Sequence, residues 1–187
     1  MDNQENRTIR EKNRNNLIGT KVLSLTYGTQ TKNLVRYADA DGTLQEHHHA
    51  ISRYTFLIDG GAISWSSHKQ ELVMLSTMEA KYIASMHATK EVLWLCCLII
   101  EVFALLHNPT ILYNNNQSAI VLTKDGNYHA CTKHINIHYH FICFSVAASS
   151  ILLLYCPVDS MVADTLAKAL PSVKAKHFAL ELGLCNI

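Results

Sequence analysis

The stretch STMEAKYIASMHATKEVLWLCCLII, residues 76–100, carries the longest helix signal in the chain. The Ser76 hydroxyl can cap the first turn while Glu79, three residues later, reaches back in a capping box. At about 100° per residue, one stripe of the helix is apolar and also contains Lys81, whereas Glu79 is rotated away from Lys81 by about 200° and is expected to be exposed. We predict a helix over residues 76–106 that presses this stripe onto a sheet. The apolar members of the stripe are Ala84, Ala88, Val92, Leu95, Ile99, Val102 and Leu106.

Four short β-prone runs precede this helix. Residues 22–27 and 33–37 are separated by Gly28-Thr29-Gln30-Thr31, which favours a hairpin connection. Residues 53–58 and 62–66 flank Asp59-Gly60-Gly61, a turn of the kind that joins antiparallel strands. The pattern therefore predicts an antiparallel meander.

Strands and helices alternate after the long helix, and this order favours parallel strand additions. We predict strands at residues 110–113 and 151–155, and helices at residues 117–122, 134–148, 164–170 and 172–182.

Composition limits the classes of protein that are possible. The chain has 187 residues, 49% of them hydrophobic and 17% charged, which fits one ordinary domain and is too apolar for disorder. We assign residues 1–16 to a disordered polar tail and residues 17–187 to the domain. No run approaches the roughly 20 apolar residues that cross a bilayer, and the polar amino terminus does not resemble a signal peptide. We expect an intracellular protein, cytoplasmic or nuclear, with no membrane partner.

Cysteine content and net charge are less informative. The six cysteines should stay reduced without an export signal, and we expect them to be buried thiols. A net charge of +1 neither indicates nor excludes binding to nucleic acid.

Several short blocks, taken in chain order, resemble a known family. They are Gly60-Gly61-Ala62-Ile63-Ser64-Trp65-Ser66-Ser67, Leu75-Ser76-Thr77-Met78-Glu79-Ala80, Asn116-Gln117-Ser118-Ala119-Ile120, Thr132-Lys133-His134-Ile135, Tyr139-His140-Phe141-Ile142 and Ala163-Asp164. Together they resemble the RNase H region at the end of copia-type LTR retrotransposon Pol polyproteins. The resemblance implies an RNase H-like α/β fold: a five-stranded mixed sheet, three antiparallel strands then two parallel, with helices on both faces. It also implies Mg²⁺-dependent endonucleolytic cleavage of the RNA strand of RNA/DNA hybrids.

The resemblance implies four carboxylates that hold two Mg²⁺ ions, since hard cations prefer oxygen ligands. Asp39 and Asp164 match the first and last of these acids. The other two catalytic positions are substituted, because Lys81 stands where the family has Glu and Asn115 where it has Asp. We therefore expect metal binding by Asp39 and Asp164 to be weak or lost, with no Mg²⁺ bound and no cleavage. Lys81 is expected to form an ion pair with a surviving aspartate.

The resemblance also implies residues that contact the hybrid. These are Asn116, Gln117, Ser118, Lys133, His134 and His140. Family arginines are replaced at Cys96-Cys97, Cys131 and His138, each by a change that one base transition can produce, which is typical of a degenerate copy. The reverse transcriptase and integrase portions of the polyprotein are absent from the sequence, and we expect a monomer.

Other interpretations of the same residues remain open at this point. Asp39 can be a turn residue at a strand end, and Asn115 can cap the helix that follows it. His134, His138 and Cys131 can share a zinc ion. The cluster Trp94-Leu95-Leu98-Ile99 is expected to belong to the core. At the level of function, the alternatives are a catalytically dead nucleic-acid-binding module and a host-adopted structural or partner-binding remnant.

Overall fold

The computed structural model of the chain describes residues 20–28, 34–41, 49–71, 76–103, 110–124, 136–166 and 170–186. The expected tail at residues 1–16 lies outside them. The strands are β1 (Leu23–Leu25), β2 (Leu34–Asp41), β3 (Ile51–Ile58), β4 (Gly61–Lys69), β5 (Thr110–Asn114), β6 (Ile151–Tyr155) and β7 (Leu184–Asn186). The α-helices are α1 (Thr77–Phe103), α2 (Gln117–Lys124), α3 (Asn136–Ala147) and α4 (Ser172–Glu181), and short 3₁₀ helices cover Val158–Ser160 and Val162–Leu166.

Five of the strands form one mixed sheet in the order β4-β3-β2-β5-β6. The pairs β2–β3 and β3–β4 are antiparallel, and the pairs β2–β5 and β5–β6 are parallel. Asp59 and Gly60 both have positive φ angles, 54° and 85°, which is the backbone that a tight hairpin turn between β3 and β4 requires. The predicted five-stranded sheet, with its first three strands antiparallel, is confirmed.

The α-helix α1 packs on one face of the sheet, and the short 3₁₀ helix Val162–Leu166 packs on the other. The main core lies between the sheet and α1, where Phe56, Leu112 and Leu153 are almost completely buried. The opposite face carries a smaller cluster of Cys156, Met161 and Ala163. The 3₁₀ helix Val162–Leu166 contacts β2 and β3 and supplies part of this second cluster.

The predicted hairpin between residues 22–27 and 33–37 is wrong. β1 pairs antiparallel with β7, and these two strands form a separate two-stranded sheet. The segment after β1 is held in the same way, since the Thr26 amide donates to the Gly183 carbonyl at 2.8 Å. Local turn residues cannot indicate a partner so far along the chain, and β7 itself has no clear signal in the sequence.

Helix α1 confirms the predicted cap and most of the predicted stripe. The Glu79 amide donates to the Ser76 hydroxyl at 3.2 Å, and Ala84, Ala88, Val92 and Leu95 are buried. The far end of the stripe was predicted wrongly. Val102 is 61% exposed and Ile99 is only half-buried. Leu106 lies outside the described residues.

The predicted exposure of Glu79 is also wrong, since its side chain is only 5% exposed. The prediction assumed that only one face of the helix is covered. In fact Tyr82, Ile83 and Met86 are buried as well, because α1 packs on the sheet and also contacts α3. An acidic group in the first turn interacts favourably with the helix dipole, which helps to offset the cost of burying it.

The second half of α1 is more exposed than the sequence predicts. Trp94 and Leu98, expected in the core, are 59% and 41% exposed, so that prediction is wrong for both, whereas Leu95 from the same cluster is buried. The segment Thr77–Val102 has the length and apolar composition of a membrane-spanning helix, but its first half forms part of the protein core. The described residues contain no second helix of this kind.

Three smaller predictions, two of which need correction, concern the second half of the chain and the cysteines. The expected helix at residues 164–170 is the 3₁₀ helix Val162–Leu166, and residues 167–169 lie outside the described part. The helix expected at 134–148 is present as α3 over Asn136–Ala147, and residues 134 and 135 lie outside the described part. The cysteines are free, but only Cys156 is buried and Cys97 is exposed; Cys131 is not described.

Candidate functional site

The four positions singled out in the sequence meet where β2 and β5 end. Asp39 is near the carboxyl end of β2, Asn115 directly follows β5, and Lys81 is in the second turn of α1. Asp164 reaches the same place from the 3₁₀ helix on the opposite face. Because β2 and β5 are parallel neighbours, their carboxyl ends lie side by side and bring these groups together.

Lys81 joins two of these positions. Its Nζ lies 3.0 Å from Oδ1 of Asp39 and donates a short hydrogen bond to Oδ1 of Asn115. The Lys81 side chain is 19% exposed, whereas that of Asp39 is completely buried. The expected ion pair between Lys81 and a surviving aspartate is therefore present, and the apolar stripe of α1 does orient position 81 toward the sheet.

A second cation, Arg53, completes the cluster and was not identified in the sequence. Arg53 in β3 is the direct cross-strand partner of Asp39, and its side chain is completely buried. Its Nη1 donates to Oδ1 of Asp164 at 3.1 Å and lies 3.7 Å from Oδ2 of Asp39. The cluster thus combines the carboxyl groups of Asp39 and Asp164 with two cationic side chains, Lys81 and Arg53.

The electrostatics of Asp39 follow from these contacts. Burial alone raises the pKa of a carboxyl group. At Asp39 this effect is outweighed by a hydrogen bond that its carboxylate accepts from the Asp164 carboxyl and by the charges of Lys81 and Arg53, so the pKa of Asp39 is lowered from its ordinary value. Asp39 is therefore ionised at neutral pH and held in that state by the two cations.

Neutral side chains fix the backbone around the cluster. The Asn114 amide donates to the Ser85 hydroxyl at 2.6 Å, and Ser85 donates to the Lys81 carbonyl at 2.9 Å, which joins the end of β5 to α1. Gln70 donates both to the Ser52 hydroxyl and to the Ala80 carbonyl. These contacts set the position of the helix turn that carries Lys81.

The helix after β5 is capped by Asn116 rather than by Asn115. Oδ1 of Asn116 accepts from the Ala119 amide at 3.0 Å, which is the contact of an N-cap residue. The capping role considered for Asn115 is therefore wrong. The Nδ2 atom of Asn115 is buried and has no hydrogen-bond partner within the described structure, a costly arrangement for an amide group.

The residues expected to contact the hybrid are only partly described. Asn116, Gln117 and Ser118 directly follow Asn115, and Gln117 and Ser118 are exposed. His140 is exposed on α3. Lys133 and His134 lie outside the described residues, as do Cys131 and the side chain of His138 from the zinc alternative. The binding roles of all six residues remain predictions.

The residues present do not fit a pair of divalent metal ions. Mg²⁺ requires several oxygen ligands at about 2.0–2.1 Å, but the oxygens of Asp39 and Asp164 face the Lys81 ammonium and the Arg53 guanidinium instead. Within the described ranges, no group of three or more His, Cys, Asp or Glu side chains is arranged to hold a metal ion.

Comparison with solved structures identifies the class of fold. LC11-RNase H1, determined in complex with an RNA/DNA hybrid, superposes with a TM-score of 0.51 at 14% identity, over 72% of this chain and 93% of that protein. The amino-terminal RNase H domain of a Mycobacterium tuberculosis protein gives the same TM-score over 80% of this chain and 97% of that one, at 11% identity. The chain therefore has the RNase H fold.

Sequence comparison identifies the family. The retrovirus-related Pol polyprotein from transposon TNT 1-94 of Nicotiana tabacum is 39% identical over 160 residues, which is 84% of this chain. The Pol polyprotein from transposon RE2 of Arabidopsis thaliana is 30% identical over 158 residues. The chain spans only 12% and 11% of the lengths of these two polyproteins, and no protein-family model matches it. The chain is therefore homologous to a part of the retrovirus-related Pol polyproteins of plant transposons, and it has an RNase H-like fold.

Proposed function

We propose that this domain derives from a nuclease that cleaves the RNA strand of RNA/DNA hybrids, and that it no longer performs that reaction. One observation carries the proposal: the Lys81 ammonium is 3.0 Å from Asp39 Oδ1, where a metal ion would have to bind the same carboxylate. The family likeness and the RNase H1 neighbour that was solved with a hybrid support the ancestral substrate.

The loss of activity follows from charge and ligand count. Cleavage of a phosphodiester by paired metal ions needs the metals to activate water and to neutralise the leaving oxygen. Asp39 and Asp164 are already neutralised by two protein cations, so a divalent ion gains little from them and is repelled by Lys81 and Arg53. Asn115 offers one amide oxygen, which is already bound to Lys81.

The test is a cleavage assay on a hybrid with a labelled RNA strand, in Mg²⁺ and separately in Mn²⁺. The unmodified chain and the single variants Lys81→Glu and Asn115→Asp are all expected to leave the RNA intact. Asp39→Asn serves as the matched control, because it removes the central carboxylate and keeps its shape. Metal-dependent cleavage by the unmodified chain that Asp39→Asn abolishes would overturn the proposal.

A further inference from the structure

Arg53 occupies a different place in the cluster from Lys81. It is anchored on β3, which lies between β4 and β2 in the sheet, opposite Asp39, and its side chain has no exposure to solvent. Lys81 enters from a helix, is partly exposed and has a flexible aliphatic chain that can swing the ammonium into water. Arg53 has no comparable route out of the site.

The chemistry of the two cations also makes Arg53 harder to displace from the site than Lys81. A guanidinium keeps its charge throughout the pH range in which proteins are folded, and its planar donors suit carboxylate pairs. Through Nη1 the Arg53 side chain approaches both Asp164, at 3.1 Å, and Asp39, at 3.7 Å. It therefore acts on two carboxylates at once, whereas the ion pair of Lys81 is with Asp39.

We infer that Arg53 is a second, independent block to metal binding. Its guanidinium keeps Asp39 and Asp164 occupied even when the acids at positions 81 and 115 are restored. This inference rests on the proposed function and extends it. Its consequence is that the double repair Lys81→Glu/Asn115→Asp, although necessary for a metal site, is not sufficient. A third change at Arg53 is required before a divalent ion can reach the two aspartates.

The experiment measures Mn²⁺ binding by calorimetry and by metal-dependent thermal stabilisation, so it does not depend on cleavage. The double variant Lys81→Glu/Asn115→Asp is expected to bind Mn²⁺ no better than the unmodified chain. Adding Arg53→Ala or Arg53→Gln should tighten Mn²⁺ binding at least about tenfold, because a buried positive charge next to the metal is removed. Arg53→Lys in the same background keeps the charge and should leave binding weak.

A matched control separates this effect from the general loss of a buried arginine. Arg36 in β2 is 6% exposed and contacts the Ile111 carbonyl and the Cys96 sulfur rather than Asp39 or Asp164. Arg36→Ala in the double-repair background should not improve Mn²⁺ binding.

Two results would overturn the inference. One is Mn²⁺ binding by the double variant as tight as that of the triple variants, since Arg53 is intact there. The other is the absence of any Mn²⁺-dependent folding or stabilisation in both the Arg53→Ala and Arg53→Gln triple variants. Either result leaves the proposed inactivity of the unmodified chain standing, because that proposal is tested on the unmodified chain alone.

Discussion

Two regions of the molecule are equally buried. One is the charged cluster of Asp39, Arg53 and Asp164 where β2 and β5 end, and the other is the main core between the sheet and α1, which contains Phe56, Leu112 and Leu153. The charged cluster depends on opposite charges that must all be present, since a buried ion without its partner is strongly destabilising. The apolar core depends on area and close packing, which tolerate the loss of one group in proportion to its size. Equal burial therefore does not mean equal sensitivity to substitution or to pH.

The largest effect is expected from removing the buried guanidinium. Arg53→Met keeps an apolar side chain in β3 but leaves Asp39 and Asp164 side by side with only Lys81 to offset them. We expect a loss of about 4 kcal/mol in the free energy of unfolding, measured by urea denaturation at pH 7. A loss below about 1 kcal/mol would show that the cluster behaves like a surface ion pair.

A substitution in the apolar core should lower the free energy of unfolding by a smaller amount, and that amount should not depend on pH. Leu112 in β5 is completely buried in the main cluster. Leu112→Ala is expected to cost about 3 kcal/mol through lost transfer free energy and the cavity that remains. Urea denaturation at pH 7 and pH 5 should give the same loss, because no titrating group is removed. A loss that changes between these two pH values would show that the apolar core is coupled to a titrating group.

Within the charged cluster and the apolar core, the smallest effect is expected at Lys81, whose side chain is partly exposed. Lys81→Met should cost about 1 kcal/mol at pH 7 and should raise the pKa of Asp39, because one of the cations that lowers it is gone. The lowered pKa of Asp39 contributes stability that is present above the unfolded value of about 3.9 and is lost as pH falls through the folded value. The difference between Lys81→Met and the unmodified chain should therefore shrink on acidification.

A matched control for Lys81 exists on the surface. Lys174 pairs with Asp159 at 2.9 Å, but the Asp159 side chain is 96% exposed. Lys174→Met should leave the free energy of unfolding unchanged within error at every pH tested. If Lys81→Met has an equally small effect, the burial of Asp39 does not strengthen its ion pair.

The sequence predicts the sheet, and it predicts the elements that carry three of the four positions that meet at the site. These predictions succeed because they depend on local signals. The turn at Asp59 and Gly60 and the cap at Ser76 involve residues close together in the chain, and the structure contains both. Position 81 could be oriented from the helical period alone. These inferences need no knowledge of what lies on the other side of an element.

Arg53 could not be found in this way. Its importance comes from its register opposite Asp39 and from the approach of Asp164, which lies 111 residues further along the chain. A charged residue inside a mostly buried strand is a signal, but it does not identify its partner. Glu79 and Trp94 fail for a related reason: helical period gives the direction of a side chain but not whether another element covers it.

The two-stranded sheet of β1 and β7 has a consequence for the order of folding. Ser24 and Cys185 are paired although 161 residues separate them, so the pairing closes almost the whole described chain into one loop. Such a contact is slow to form, since the entropy of loop closure must be overcome before the contact contributes anything. We expect this small sheet to be the last part to form and the first to open, with amide hydrogens that exchange faster than those of the five-stranded sheet. Loss of Leu184–Asn186 would then release both ends of the described chain at once.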